Sequence, residues 1–246
     1  MSAPRFYCPV SLPESGSFEL PPDAAHHAKQ VLRLRVGDAV QVFDGAGHAC
    51  NATVGEISGK QVVLHNLRAC PPDAAFGLHI VLAQAMSSSE KMDWVVQKAT
   101  ELGAAEIQPV QTQRSVARLT AERAEKRTEH WRGVIVSACE QCGRNTLPQV
   151  HAPQDFSGWL GHARALPGSK LILLPDGAAA LHAQAQPQGT VTLLIGPEGG
   201  FSADEGAKLR TMPQVHPLSL GPRILRADTA AAAAITLWQA RHGDWR

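Results

Sequence analysis

Two short runs, Lys170-Leu171-Ile172-Leu173-Leu174 and Thr190-Val191-Thr192-Leu193-Leu194-Ile195, constrain the fold more than any other feature of the chain. Each is nearly all apolar, is too short for a stable helix, and lacks the polar alternation of a strand with one wet face. Strands buried on both faces look like this, and they belong to parallel sheets covered by helices. The surrounding sequence agrees. Residues 78–84 read as a third apolar strand and 105–110 as a fourth. Between them Met92, Val95, Val96, Ala99 and Leu102 recur at helical spacing until Gly103 stops the helix, and Ser87-x-x-Glu90 reads as its capping box. A longer helix is expected over 120–142, with Trp131, Val134, Ile135 and Ala138 on one face, and a last one over 229–241. Alternating strands and helices predict an α/β domain.

The first 70 residues have another rhythm. Val40-Gln41-Val42-Phe43 leads into Asp44-Gly45-Ala46-Gly47, a glycine-punctuated hairpin signal, and a second strand follows over 49–57. Ser58-Gly59-Lys60 then turns the chain into a third strand over 61–67. A short helix over 22–34 precedes them, with Pro22 tolerated near its start because the first-turn N–H has no intrahelical partner. Short strands at this spacing predict a small β-barrel. The two prolines of Cys70-Pro71-Pro72-Asp73 stiffen the backbone and remove donors, so the expected division is 1–72 and 73–246.

Composition excludes more than it assigns. No run approaches the ~20 apolar residues that cross a bilayer, and the N-terminus lacks a basic stretch followed by an apolar one. Five cysteines without framework spacing suit a reducing compartment, so a cytoplasmic protein is expected. A net charge of +1 is no global nucleic-acid signature. Residues 112–146 nevertheless carry seven basic residues, including Arg114, Arg118 and Arg144, against four glutamates. Such a segment suits either RNA phosphates or a solvated helix face. Cys139-x-x-Cys142 has no second pair to complete a zinc site and closes a helix rather than opening one, so it reads as packing and no metal site is expected.

Two segments carry the chemistry. Ile195-Gly196-Pro197-Glu198-Gly199-Gly200-Phe201-Ser202 follows a buried strand, and its glycines let backbone approach a ligand where open α/β sheets bind one. Ser202-x-x-Glu205 then caps a helix. Neither the dinucleotide fingerprint nor a P-loop is present, which disfavours a phosphate-binding nucleotide enzyme. The second segment, Leu218-Ser219-Leu220-Gly221-Pro222-Arg223-Ile224-Leu225-Arg226-Ala227-Asp228-Thr229, breaks at Gly-Pro and brings two arginines to a helix start, where Asp228 or Thr229 is the expected N-cap.

Together these segments resemble the ribosomal small-subunit methyltransferase E family, part of the SPOUT superfamily of S-adenosylmethionine-dependent RNA methyltransferases. The resemblance extends over nearly the whole chain, through Arg5-Phe6, His26-His27-Ala28, residues 31–38, Lys91, residues 97–103 and Glu140-Gln141-Cys142-Gly143-Arg144. It implies a PUA-like barrel for RNA, then a SPOUT α/β domain with a trefoil knot that topology rules alone would not propose. It further implies methylation of N3 of a specific uridine in 16S rRNA of the small ribosomal subunit, by a homodimer. The S-adenosylmethionine site it implies comprises Leu194, Gly196, Glu198, Gly199, Gly200, Leu220, Gly221, Ile224 and Leu225. Arg223, Arg226, Asp228 and Glu198 are its candidate catalytic residues, and Arg5, Arg33, Arg35, Arg114 and Arg144 its candidate RNA contacts. Glu198 has a competing role as a brace for its own loop. Family members often carry Glu where Asp228 stands; Asp keeps the charge but reaches one methylene less. A ribose 2′-O-methyltransferase and a non-catalytic ribosome-assembly factor are the alternatives. The 223–226 segment and the β-rich first domain disfavour the former, and the intact glycines disfavour the latter.

Overall fold

The computed structural model describes residues 3–71, 73, 78–116, 120–174, 179–180 and 189–245. Pro72, at the expected division, and Arg118, in the basic segment, lie outside the described residues. The chain forms two compact units. One is Met1–Ala75 with Val136–Leu147, and the other is Phe76–Ile135 with Pro148–Arg246.

The first unit is a five-stranded sheet of β1 (Arg5–Tyr7), β2 (Phe18–Glu19), β3 (Ala39–Phe43), β4 (Ala49–Ser58) and β5 (Gln61–Ala69), in the order β1-β3-β4-β5-β2. The expected hairpins are present: Phe43 pairs with Ala49 across the glycine loop, and Ser58 with Gln61 across Gly59-Lys60. Asp44 shapes the first loop by accepting from the Ala46 and His48 amides at 2.7 and 3.1 Å. Two register shifts in β4, beside Thr53 and Glu56, bend the sheet around its core. Phe6, Val42, Val54 and Leu64 fill that core with Ala24, Ala25 and Ala28 of the helical segment. This segment is shorter than expected. It runs as α1 (Pro22–His26) and a π-helical turn (His27–Val31), and the chain leaves it at Arg33 with φ +53°. The strand β1 was not legible because three residues carry too little pattern. It lies parallel to β3.

The end of a helix from later in the chain completes this unit. The Tyr7 amide donates to Glu140 Oε1 at 3.0 Å. Arg5 Nη2 donates to the Arg144 carbonyl at 2.9 Å and to Asn145 Oδ1 at 2.8 Å, its Nη1 reaches Gln41, and the guanidinium lies 4.7 Å above the Phe43 ring.

The second unit is a parallel sheet of β6 (His79–Ala85), β7 (Glu106–Gln111), β8 (Gln149–Val150), β10 (Ser169–Leu173), β11 (Ala179–Ala180), β12 (Thr190–Ile195) and β13 (Val215–Ser219). The order is β11-β13-β10-β12-β6-β7-β8, and β9 (Gln154–Asp155) also pairs with β7. Both diagnostic runs are central, as their apolar character requires. Ala83, Ile172 and Leu194 pack with Phe156 and Trp159 of α4 (Phe156–Ala165) and Leu209 of α5 (Ala203–Arg210). Alternation points Leu82, Leu171 and Leu193 to the other face. There α6 (Ala227–His242) packs on β12 and β6 and against α2 (Ser89–Glu101). The helix α3 (Ala121–Cys142) carries the fully buried Trp131, whose indole N–H donates to Asp93 of α2 at 3.0 Å. Strand β13, which leads into the second segment, has no clear bounds in the sequence because Pro217 interrupts it, and proline within a run argues against a strand. No helix among the described residues is long and apolar enough to cross a membrane.

Candidate functional site

Strand order builds the site. Because β13 and β12 flank β10 and all three run parallel, the segments after β12 and β13 leave the sheet at the same carboxyl edge. Two strand spacings separate their starting points, about 10 Å, which suits a ligand of nucleoside size.

The loop after β12 is a tight turn, closed by the Gly200 amide on the Pro197 carbonyl at 2.8 Å. Gly200 has φ +68°, a region that side-chain-bearing residues seldom adopt, and a Cβ there would project into open space. Gly196 is needed for a different reason: a Cβ would stand 3.1 Å from the Phe201 ring packed beneath it. At the far end Ser202 and Glu205 form the expected capping box, with bonds of 3.2 and 2.9 Å in the two directions. The second oxygen of the buried Glu205 accepts from the Gln113 amide at 2.7 Å.

Glu198 is held from outside its loop. Ser87 Oγ and Lys91 Nζ each lie 2.6 Å from the same carboxylate oxygen, Oε1. Burial pushes this carboxyl up, but the hydrogen bonds from Lys91, Ser87 and its own backbone N–H outweigh burial and hold it below the usual range. Ser87 is therefore not a helix cap. The N-cap of α2 is Ser88, with no side-chain bond. The sequence offered no sign that residue 87 would meet residue 198. Arg114, expected on RNA, donates from Nη1 to the Gly199 carbonyl at 2.7 Å.

The segment after β13 has few tethers among the described residues. Ser219 Oγ bonds the Gly221 amide and carbonyl at 3.3 and 3.4 Å, and Gly221 has φ +107°. Leu220 and Leu225 are half-buried, and Ile224 is 86% exposed. Arg223 and Arg226 are exposed, and neither has an ion-pair partner among the described residues. Asp228 is not the helix cap. The helix α6 starts at Ala227 with Arg226 as N-cap, which puts Asp228 in the first turn, where its Oδ1 accepts from the Thr229 amide at 2.7 Å.

Two segments thus leave the sheet at one edge, one with Gly196, Glu198, Gly199 and Gly200 and the other with Leu220, Gly221, Arg223, Ile224, Leu225, Arg226 and Asp228. Leu194 differs, its side chain lying wholly within the sheet's core. Gly200 and Gly221, exposed with clear space above them, fit a cofactor gripped by main chain, such as S-adenosylmethionine. A cavity of about 130 Å³ between β10, β13 and α5 and a wider groove beside Asp155 and Asp204 are both lined by other residues.

The candidate RNA contacts separate. Arg33 and Arg35 are exposed on one loop of the first unit, among exposed Val31, Leu32 and Val36. Arg5 instead fastens that unit internally, and Arg144 contributes its carbonyl to the same fastening. In α3, Lys126 pairs with Glu122, Arg132 with Glu129 and Arg127 with Asp93, the habit of a solvated helix face. Cys139 is buried and Cys142 exposed; the hydrogen bond with Cys142 and burial push the Cys139 thiol up. No group of His, Cys, Asp and Glu arranged to hold a metal occurs among the described residues.

Comparison with known proteins places these features. The family profile described as RNA methyltransferase domain matches residues 75–239, and that described as RNA methyltransferase PUA domain matches residues 20–65. The ribosomal RNA small subunit methyltransferase E of Buchnera aphidicola subsp. Schizaphis graminum is 31% identical over 241 residues, covering 98% of this chain and 97% of its own. That of Mycobacterium tuberculosis is 30% identical over 242 residues, covering 96% and 90%. Among solved structures, the Neisseria gonorrhoeae ribosomal RNA small subunit methyltransferase E bound to S-adenosyl methionine aligns with a TM-score of 0.91 at 34% identity over 100% of both chains. A putative methyltransferase from Legionella pneumophila in complex with the same cofactor also aligns at 0.91, with 36% identity over 99% of this chain and 100% of its own.

Proposed function

Because this chain belongs to the ribosomal RNA small subunit methyltransferase E family, we propose that it uses S-adenosylmethionine to methylate N3 of a specific uridine in 16S rRNA. The observation that carries this reading is the emergence of two glycine-bearing segments on either side of β10 at one sheet edge. The backbone there would hold the cofactor, and the small and aliphatic residues Gly200, Leu220, Gly221 and Leu225 leave it room. When bound, the cofactor supplies a methyl group already activated by a sulfonium.

The remaining tasks fall to this chain. N3 of uracil is a poor nucleophile until its proton leaves. Glu198 Oε1 is occupied by an ammonium and a hydroxyl, so it braces the loop. Asp228 is the carboxylate left to take the proton, its orientation fixed by the Thr229 amide. Arg223 and Arg226, without ion pairs among the described residues, stabilise the negative charge that then spreads to the uracil oxygens. Arg33 and Arg35 contact the RNA backbone from the first unit. The reading includes a trefoil knot around the two segments, action in the cytoplasm on the small ribosomal subunit, and a homodimer. Exposed Trp94 on α2 and Leu237 on α6, two helices that pack together, support the dimer.

Mass spectrometry of rRNA nucleosides from cells lacking the gene, with and without its restoration, tests the reading. The expected result is loss of 3-methyluridine alone, reversed on restoration. Unchanged 3-methyluridine, or loss of a ribose methylation instead, would overturn it.

A further inference from the structure

The groups that fix Glu198 come from elsewhere in the sequence. Ser87 follows β6, Lys91 lies in the first turns of α2, and both donors converge on one oxygen at 2.6 Å. Arg114, beyond β7, secures the next residue through the Gly199 carbonyl. Four of the six residues from 196 to 201 are Gly or Pro. Glycines lose the most backbone freedom on ordering, so such a loop keeps one shape only if outside groups impose it. A lone surface ion pair would impose little. Here, however, the Lys91 and Glu198 side chains are 34% and 33% exposed, and a hydroxyl shares the acceptor. Hydrogen bonds to an ionised acceptor are the stronger kind.

We propose that Lys91 and Ser87 are positioning residues that, with Arg114, hold the 196–200 backbone in its ligand-receiving shape before any ligand arrives, acting through Glu198 and Gly199. The role in binding rests on the S-adenosylmethionine reading above; the clasp itself does not. Arg114 on this account is a loop brace rather than an RNA contact. The ammonium of Lys91 is the only charge facing Glu198 Oε1 from another element among the described residues, with Ser87 its neutral neighbour.

Hydrogen exchange on the full-length, cofactor-free protein tests the clasp, comparing wild type with Lys91→Met, Lys91→Arg, Ser87→Ala and Glu198→Gln. Loss of a charge-assisted bond should speed exchange of the 198–200 amides about tenfold in Lys91→Met, and loss of the hydroxyl about threefold in Ser87→Ala. Residues 170–173 should be unchanged, and Lys91→Arg should stay near wild type. Acidification should loosen the wild-type loop beyond the intrinsic exchange rate, but not that of Glu198→Gln. Unaltered loop exchange in both Lys91→Met and Ser87→Ala would overturn the proposal. Calorimetry with S-adenosylmethionine then separates the two readings. Binding weakened about tenfold in Lys91→Met supports positioning, while equal affinity despite a loosened loop refutes it. A wild-type protein that binds no S-adenosylmethionine, with its loop still governed by Lys91, refutes the cofactor reading and supports the clasp.

Discussion

The loop after β12 and the segment after β13 leave the sheet at the same edge, yet they are secured very differently. Residues 196–200 are held at Glu198 and Gly199 by side chains from three other places in the chain, and Glu205 ties down the helix that follows. Among the described residues, side-chain hydrogen bonds to 220–226 come only from Ser219, on Gly221, and the segment presents Arg223, Ile224 and Arg226 to solvent. On the proposed function the two segments meet two ligands, and the asymmetry suits both. A small cofactor is best met by a preorganised wall, which lowers the ordering cost of binding. A large, irregular RNA is best met by side chains that can adjust.

Breaking the fixed side at its foot should have the largest effect. Replacing the buried Glu205 with Ala strands the Ser202 and Gln113 amides without their acceptor, at a cost of about 2–4 kcal/mol, read as a fall in melting temperature. On the open side, Arg226→Ala should leave melting within about 0.5 kcal/mol of wild type while slowing methyl transfer about a hundredfold, measured by single-turnover kinetics. A large stability loss in that variant would mean the segment is less open than its exposure implies. Gly200→Val forces a β-branched side chain to φ +68° and should cost about 1–3 kcal/mol, checked by denaturant unfolding. The smallest effect is electrostatic. The Glu198 carboxyl is held below its ordinary value in the folded protein, so its contribution is complete above about pH 4.3 and fades as pH falls through the depressed value. Wild type should therefore exceed Glu198→Gln in stability by about 0.2–1 kcal/mol at neutral pH, the gap closing on acidification in parallel melts.

The same asymmetry explains what could be read from the sequence. The parallel sheet was legible because its central strands are nearly all apolar, and the capping box at Ser202 because it is local, with acceptor and donor three residues apart. Both candidate segments were found, since glycines after a buried strand constrain backbone. The Ser87–Glu198 bond spans 111 residues, and nothing in Ser87-Ser88-Ser89-Glu90 distinguishes a hydroxyl that caps its helix from one that reaches across the sheet edge. The arginines that the resemblance implies as RNA contacts are marked in the sequence by charge, which shows sign and not direction. Arg5 and Arg114 turned inward, while Arg33 and Arg35 stayed out. Asp228 missed its cap by two positions because the helix begins as soon as the arginine segment ends.

The sharing of α3 between the two units has a practical consequence for anyone dissecting the protein. A polypeptide cut after residue 72 would keep every strand of the small sheet but lose Glu140, Arg144 and Asn145. Arg5 would keep Gln41 and the Phe43 ring but lose the acceptors of its Nη2, and the Tyr7 amide would lose Glu140. The N-terminal module is one whose final component is translated dozens of residues after the rest. It can finish assembling only when the chain has already begun its second body.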